Sequence, residues 1–523
     1  MKAIELKPTL KDLLFGISLA NLCYLKVWYL SLTGQARDYH SATPYTIGTF
    51  AAAVISVMVL GFAFGFASFG ARVLKQRGAP EWLGLLIFLP LIAPLNFFRR
   101  FVFNWPMTDI LSLGIPLLGI VVCACAALLY RFHQKVIRIT VFLIFALWPF
   151  CLVTFGTAVL RIGQLSLKPG PSANLSQNAH NPGHPREFRL VWIIFDELDE
   201  RVAFDSRPAG MRLIEFDRLR AQALVAKDAY PPAKSTIASI PSLTIGKYVQ
   251  TAVRASPDEL LLSFLGETNV VSWSRSSNLF SQAHWDGFRT AVAGWYHPYG
   301  RLFGPILDEC YALGAPIVNQ FDGRSLWTSL ASEFVSVVFP LHERTLYMKI
   351  HSELLTRALS LVSNRNLDLV FLHFSIPHPP SIYDPGTRKL AVTELRLREG
   401  YFNNLLLADQ ALGLLRSAME LAGVWERTTV LISSDHWWRE EDGAYGRIDH
   451  RVPFILKLAE NSESLTYSPR LNTVLTADLI SFLLKNRPRS LLEVAEWLNQ
   501  HREQRDFRFD SEGRIILSDQ SSG

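Results

Sequence analysis

The hydrophobic and polar positions divide the chain into two unlike parts. Before about residue 165 the apolar residues come in long runs, at 12–33, 45–71, 82–98, 109–130 and 138–160. Each is close to the roughly 20 residues that cross a bilayer as a helix. Five such runs in one block predict a five-helix transmembrane bundle rather than buried core helices. The third run is the shortest and carries Pro90 and Pro94, which predicts a kink. Lys26 lies inside the first, where it can snorkel or face a partner helix. No small-residue cleavage site follows that run, so it is expected to remain as an anchor.

From residue 188 the apolar runs become short and alternate with amphipathic stretches. Strands are expected at 190–195, 269–273, 290–295, 367–374, 428–433 and 452–456. Helical spacing marks 211–224, 346–362, 401–422 and 476–484. This alternation predicts a mainly parallel sheet covered on both faces, an α/β fold. Residues 166–187 are rich in Pro, Gly, Ser and Asn, which is linker composition. The expected organisation is a transmembrane domain at 1–165, a linker at 166–187, an α/β catalytic domain at 188–500 and a polar tail at 501–523. The chain shows no internal repeat.

Composition sharpens this picture. The 523 residues exceed what one compact domain usually holds. Hydrophobic residues make up 49% and mean hydropathy is +0.18, with the excess in the first part. The net charge of +6 comes without a basic block interleaved with aromatics, so nucleic acid is not an expected partner. Of the five cysteines only Cys310 lies beyond the apolar part, which leaves that region no internal disulfide and no cysteine zinc site. Lys2, Lys7 and Lys11 precede the first run. Arg72, Lys75 and Arg77 follow the second, and Arg131, Lys135 and Arg138 follow the fourth. The other connections hold only Arg37, Arg99 and Arg100. The positive-inside rule then puts the N-terminus in the cytoplasm. Five crossings put the catalytic domain on the periplasmic or extracellular side of an inner or plasma membrane.

Candidate chemistry gathers where strands should end. Asp196-Glu197 follows the strand at 190–195. Lys234-Ser235-Thr236 follows Pro231-Pro232 and should open a helix, where a hydroxyl can be a nucleophile or merely a cap. His373 and His378 flank the end of the strand at 367–374. Asp435-His436 closes the strand at 428–433, and His450 precedes the next. In open α/β sheets ligands bind at the carboxyl ends of strands. Carboxylates, imidazoles and a hydroxyl collected there suit metal-assisted phosphoryl or sulfuryl transfer.

The order of these motifs resembles the sulfatase-like branch of the alkaline phosphatase superfamily over about residues 188–485. Ser434-Asp435-His436 after a strand is its most specific element, and the run Tyr401-Phe402-Asn403-Asn404 through Leu407-Ala408-Asp409 also matches. With its apolar first part the chain looks like membrane-anchored phosphoethanolamine transferases and lipoteichoic acid synthases. The resemblance implies an α/β/α sandwich of the alkaline phosphatase/sulfatase type. It implies Thr236 as nucleophile, with Ser235 as the alternative. It implies a divalent metal held by Asp196, Asp435 and His436, with Glu197 as the alternative to Asp196. Zn2+ is the first choice, with Mn2+, Mg2+ and Ca2+ as others. His378 and His450 would bind substrate phosphate or a second metal, and His373 repeats the spacing of the transferases' His pair. Gly287-Phe288-Arg289-Thr290-Ala291 through Gly294-Trp295-Tyr296-His297 is similar to a sulfatase stretch and suggests His297 near the substrate. A membrane lipid head group is the implied donor, and an envelope glycan or lipid the acceptor. The rival expectations are an ester hydrolase of the same fold and a catalytically silent binding protein. The chain departs from the pattern in several ways, among them that Pro232 and Ser242 stand where lipid A transferases carry bracing cysteines. It has no Cys-x-Pro-x-Arg, it lacks a Lys before Trp295, and Trp437 stands where Gly usually follows Ser-Asp-His.

Overall fold

The computed structural model describes residues 8–32, 37–41, 44–103, 115–167, 188–314, 325–338, 342–391, 396–439 and 449–518. The chain clusters into two compact units. The first is 1–173 together with 317–343, and the second is 174–316 together with 344–523.

The first unit is helical. Its elements are α1 (Pro8–Cys23), α2 (Leu25–Leu32), α3 (Ile47–Gln76), α4 (Phe88–Phe97), α5 (Ile115–Arg131), α6 (His133–Ala146) and α7 (Pro149–Leu167). Two helices are long and apolar enough to cross a membrane: α3 and the 34-residue stretch His133–Ser166 formed by α6 and α7. A third span results if the bent pair α1–α2, which turns by 62°, counts as one. The other two expected spans come out shorter. The 82–98 run gives an apolar helix at Gly84–Phe97, and α5 has 17 residues, with 109–114 outside the described residues. Helices α1 and α3 touch closely at glycines. A Cβ on Gly16 would lie 2.3 Å from the Gly61 carbonyl oxygen, so only hydrogen fits there. Beside this crossing the Asp12 carboxylate accepts from Ser68 at 2.8 Å and pairs with Arg72 at 2.6 Å.

The second unit is built on an eight-stranded sheet. Its strands are β1 (Arg189–Phe195), β2 (Leu224–Ala226), β3 (Thr290–Trp295), β4 (Glu309–Leu313), β5 (Leu369–Phe374), β6 (Thr428–Ser433), β7 (Phe454–Lys457) and β8 (Leu465–Tyr467). The spatial order is β8-β2-β7-β6-β1-β5-β3-β4. All run in one direction except β7, which is antiparallel to both neighbours. The sheet is therefore mixed, where the sequence suggests only a mainly parallel one. Strand β1 is central, and every residue of β1, β3, β5 and β6 is buried, so both faces are covered. Their largely apolar composition, with polar residues mainly at the strand ends, is what a doubly covered sheet requires. On one face Val191, Ile193 and Phe195 join Leu354 and Ala358 of α10 (His342–Ser363) and Leu405 and Ala408 of α11 (Leu397–Leu421). On the other, Trp192 lies against Phe371 with ring centroids 4.4 Å apart.

Three local expectations change. The stretch 211–224 holds a short helix, Ile214–Arg220, and then turns into β2. The strand expected at 269–273 forms as Val270–Ser272, the edge of a separate three-stranded antiparallel sheet with Val249–Ser256 and Glu259–Phe264. The stretch expected as a polar tail contains a hairpin, Phe507–Phe509 with Ile515–Leu517, that buries Phe507 and Ile515. Most of the expected linker, 168–187, lies outside the described residues.

Candidate metal and nucleophile site

Strands β1, β5 and β6 lie side by side and in parallel, so their carboxyl ends meet. Asp196 follows β1, Asp435 and His436 follow β6, and His373 sits in the last turn of the pleat in β5, opposite Ile194. All four are fully buried. Single donor atoms of Asp196, His373 and Asp435 lie within 4.8 Å of one another. His436 Nε2 is 3.3 Å from Asp435 Oδ2 and 3.7 Å from Asp196 Oδ1.

The strand ends are tied to each other. Ser434 Oγ donates to the Phe195 or His436 carbonyl oxygen, at 2.8 and 2.7 Å, and accepts from the Leu198 amide at 2.9 Å. The Glu197 amide donates to Asp435 Oδ1 at 3.2 Å. Glu197 adopts φ +63°, the left-handed region that a residue with a Cβ seldom occupies. That turn sends its side chain away from Asp196. Its Oε1 accepts from Arg439 Nε at 2.8 Å and lies 2.7 Å from Arg439 Nη2. Of the two adjacent carboxylates, Glu197 is thus paired with an arginine, while Asp196 joins the buried group.

Helix α8 (Thr236–Ile245) brings the hydroxyl. Ser235 is its N-cap and Thr236 its first residue. Thr236 is buried, and its Oγ1 lies 3.3 Å from His436 Nε2. Ser235 is half-buried, and its carbonyl accepts the Ala238 and Ser239 amides. His297, just beyond β3, donates from Nε2 to the Thr236 carbonyl at 3.2 Å and packs edge-on against Trp273. It holds the backbone of Thr236. His373 has its Nδ1 bonded to the Tyr299 hydroxyl at 2.9 Å, which leaves Nε2 for the group around Asp196. Gly294 lies opposite His373 in the neighbouring strand. A Cβ there would fall 2.6 Å from the Tyr299 ring, so its lack of a side chain admits the tyrosine.

Two expected residues lie at the margin. His378 is partly exposed, with Nε2 3.4 Å from Arg439 Nη2 and 4.0 Å from Glu197 Oε1. His450 packs with Trp437 and Phe509, at centroid distances of 4.1 and 4.7 Å, the latter residue coming from the C-terminal hairpin.

The electrostatics of the interior are unfavourable as they stand. Burial, then Asp435 and Glu197, pushes the Asp196 carboxyl well above the usual carboxylate range. Burial pushes His373 down to about 4 and, with Arg439, His436 down to about 3, so both imidazoles are neutral at pH 7. Both oxygens of Asp196, Oδ2 of Asp435 and Nε2 of His373 are buried with no hydrogen-bond partner among the described residues. Buried polar atoms are nearly always satisfied. Four unmet lone-pair donors facing one point fit a divalent cation, which would favour ionised Asp196 and neutral imidazoles together.

Sequence reasoning reaches Asp196, Asp435 and His436 because apolar runs end beside them, and Thr236 because it opens a helix after Pro231-Pro232 and matches the family pattern. It misses Arg439, Tyr299 and the Ser434 tie. Arg439 stands three residues past His436, and its nearness is the one signal the sequence offers. Tyr299 gives none, since its role depends on strand register.

Comparison with known proteins follows this geometry. A sequence model of the sulfatase family matches residues 189–485. The PsFucS1 sulfatase from Pseudoalteromonas sp. is similar in structure, at 15% identity and TM-score 0.44, covering 64% of this chain and 77% of that one. So is the phosphonate monoester hydrolase of Agrobacterium radiobacter, at 12% identity and TM-score 0.40, covering 57% and 73%. The lipoteichoic acid synthase LtaP from Listeria monocytogenes gives 11% identity and TM-score 0.39, covering 57% and 72%. No curated protein matches the sequence significantly.

Proposed function

Because the chain belongs to the sulfatase family, enzymes of the alkaline phosphatase superfamily, we propose that it is a membrane-anchored, metal-dependent head-group transferase. Its donor is a lipid bearing a phosphoethanolamine or phosphoglycerol group. Its acceptor is a hydroxyl on an envelope glycan or lipid, and its nucleophile is Thr236. The observation that carries this is the placement of the Thr236 hydroxyl, 3.3 Å from His436 Nε2 at the opening of a helix. The second support is the set of apolar helices in the first unit, which would keep the site near a lipid donor.

Asp196, Asp435, His373 and His436 would hold the cation, and their mixed oxygen and nitrogen donors suit Zn2+ or Mn2+. When bound, such a cation supplies Lewis-acid charge at the reacting hydroxyl and ester oxygens. The chain's own residues do the rest. His297 fixes the Thr236 backbone, and the amides at the start of α8 favour negative charge beside it. Arg439 and His378 offer donors to the phosphoryl oxygens from the more open edge. In the first half-reaction Thr236 Oγ1 bonds to phosphorus and the bond to the diacylglycerol oxygen breaks. The proton lost by Thr236 balances the one the diacylglycerol hydroxyl gains. The acceptor hydroxyl then takes the group from Thr236 and releases its own proton.

The test is turnover of the detergent-purified protein on a phospholipid donor, a small phosphodiester, a phosphomonoester and a sulfate ester, with and without EDTA. Metal-dependent activity should fall at least about 10^3-fold in Thr236→Ala. Without an acceptor, diacylglycerol release from the lipid donor should stop at about one equivalent per enzyme, and continued release should require an added acceptor. Release that continues over many turnovers without acceptor would make the protein a hydrolase. Activity surviving in Thr236→Ala would overturn the nucleophile and move it to Ser235.

A further inference from the structure

We propose that α9 (Leu326–Val338) is a re-entrant membrane element whose outer stripe lies among lipid acyl chains beside α3. The inference rests on the membrane anchoring of the first unit, and on nothing about the chemistry of the second. Residues 317–343 leave the second unit, cluster with the first, and return. Within the first unit α9 packs along α3. A Cβ on Gly48, at the start of α3, would lie 3.7 Å from the Leu326 amide nitrogen, which places the beginning of α9 beside the beginning of α3.

The two sides of α9 are inverted relative to a helix in water. Ser329 and Glu333, one helical turn apart, are fully buried. Trp327 and Ala331, also one turn apart and on the opposite side, are exposed, Trp327 by 78%. Water would draw the glutamate out and the tryptophan in. A bilayer does the reverse, turning ionisable groups toward neighbouring helices and leaving aromatic and small apolar residues to lipid. Glu333 is the only charged residue from 325 to 341. That one ionisable side chain is fully buried, so the helix turns it inward. Helix α3 exposes a surface of the same kind, with Val59 at 65% and Phe66 at 73%. The outer stripe is therefore covered by the acyl chains that surround α3.

Length fixes the mode of insertion. Thirteen residues rise about 20 Å, short of the ~30 Å apolar thickness, so α9 dips in and returns on one side. That side is the one holding the start of α3. The positive-inside reading of the sequence would place the start of α3 on the outer side.

The experiment uses the full chain in lipid nanodiscs, with its five cysteines replaced by alanine. Single cysteines are introduced by Trp327→Cys and, as a second variant, Ala331→Cys, and each is labelled with bimane. Val59→Cys on α3 and Trp285→Cys, 75% exposed on the second unit, are the references. Loss of fluorescence is read with phosphatidylcholine brominated on its acyl chains and with aqueous iodide. Positions 327 and 331 should lose fluorescence to brominated lipid and be shielded from iodide, as position 59 is. If they respond to iodide like position 285 while 59 responds to lipid, the proposal is overturned and the anchoring stands. If 59 also responds to iodide alone, the anchoring falls and the proposal falls with it. An unchanged elution profile of each labelled variant confirms that it is folded.

Discussion

Two acidic clusters in the second unit look alike in composition and differ in their accounts. At Asp409, on α11, the carboxylate Oδ1 accepts the amides of Glu215 and Phe216, each at 2.9 Å. It thereby caps the helix Ile214–Arg220. Beside it Glu215 pairs with Arg416 at 2.7 Å. Burial and Glu215 still lift Asp409 to about 6, but its Oδ1 has two backbone donors and Glu215 has its arginine. At Asp196 the carboxylate is more deeply buried, with Asp435 and Glu197 as further negative neighbours, and neither of its oxygens meets a donor among the described residues. The first cluster is finished by the polypeptide, and the second only by something the polypeptide does not contain. A buried charge whose neighbours match it serves the fold, whereas one whose neighbours repel it needs a ligand to make sense.

That contrast can be broken most severely at Asp196. Asp196→Asn should lower turnover at least about 10^3-fold, since it removes a charged donor from the proposed cation set. The same change should leave the melting temperature of the metal-stripped protein unchanged or raised, because it deletes an unmatched buried charge. A fall in both quantities would mean that Asp196 is structural, and would erase the distinction.

His351 offers an intermediate case. It is buried against the Phe374 ring at 6.3 Å, and its Nδ1 has no hydrogen-bond partner among the described residues. Burial holds it down at about 4, against an ordinary value of 6.5. Between those values the unfolded chain binds a proton that the folded chain does not. Its contribution to stability is thus full above about pH 6.5 and is lost as pH falls toward 4, by about 3 kcal/mol. Thermal melts at pH 7 and pH 5 should show a smaller acid-induced drop for His351→Leu than for the parent chain, with activity at pH 7 retained. If the variant loses metal-dependent activity instead, an unmet buried nitrogen alone marks function, and the criterion drawn from Asp196 becomes too narrow.

The smallest effect is expected at the finished cluster. Asp409→Ala leaves two helix-opening amides without their acceptor and should cost about 1–3 kcal/mol of stability. Turnover per folded molecule should stay constant, as measured by titrating active protein after mild heating. A selective loss of turnover would tie Asp409 to the chemistry.

How much of this was legible in the sequence depends on which solvent each residue meets. The central strands could be read because a sheet covered on both faces needs continuous apolar runs, and β1 and β6 have them. Their polar terminators, Asp196 and Asp435-His436, followed at once. His373 falls inside the strand expected at 367–374, but the direction that pleat gives its ring comes from register with β1 and β3. Val249–Ser256 was missed because it alternates weakly and most of its residues are partly or fully exposed. Three-residue β2 hid at the end of an amphipathic stretch. Helix α9 escaped for a different reason. Periodicity reveals two faces but does not say which one meets water, and here the usual assignment is reversed.

The central position of β1 also sets a timetable. It is the first strand of its sheet to leave the ribosome, yet the Glu197 amide at its end waits for Asp435, 238 residues further on. At 5–20 residues per second that is roughly 10–50 s before a buried, largely apolar strand has both of its neighbours, β5 and then β6. Whatever shields nascent chains during that delay is as much a condition for an active molecule as any side chain in the site.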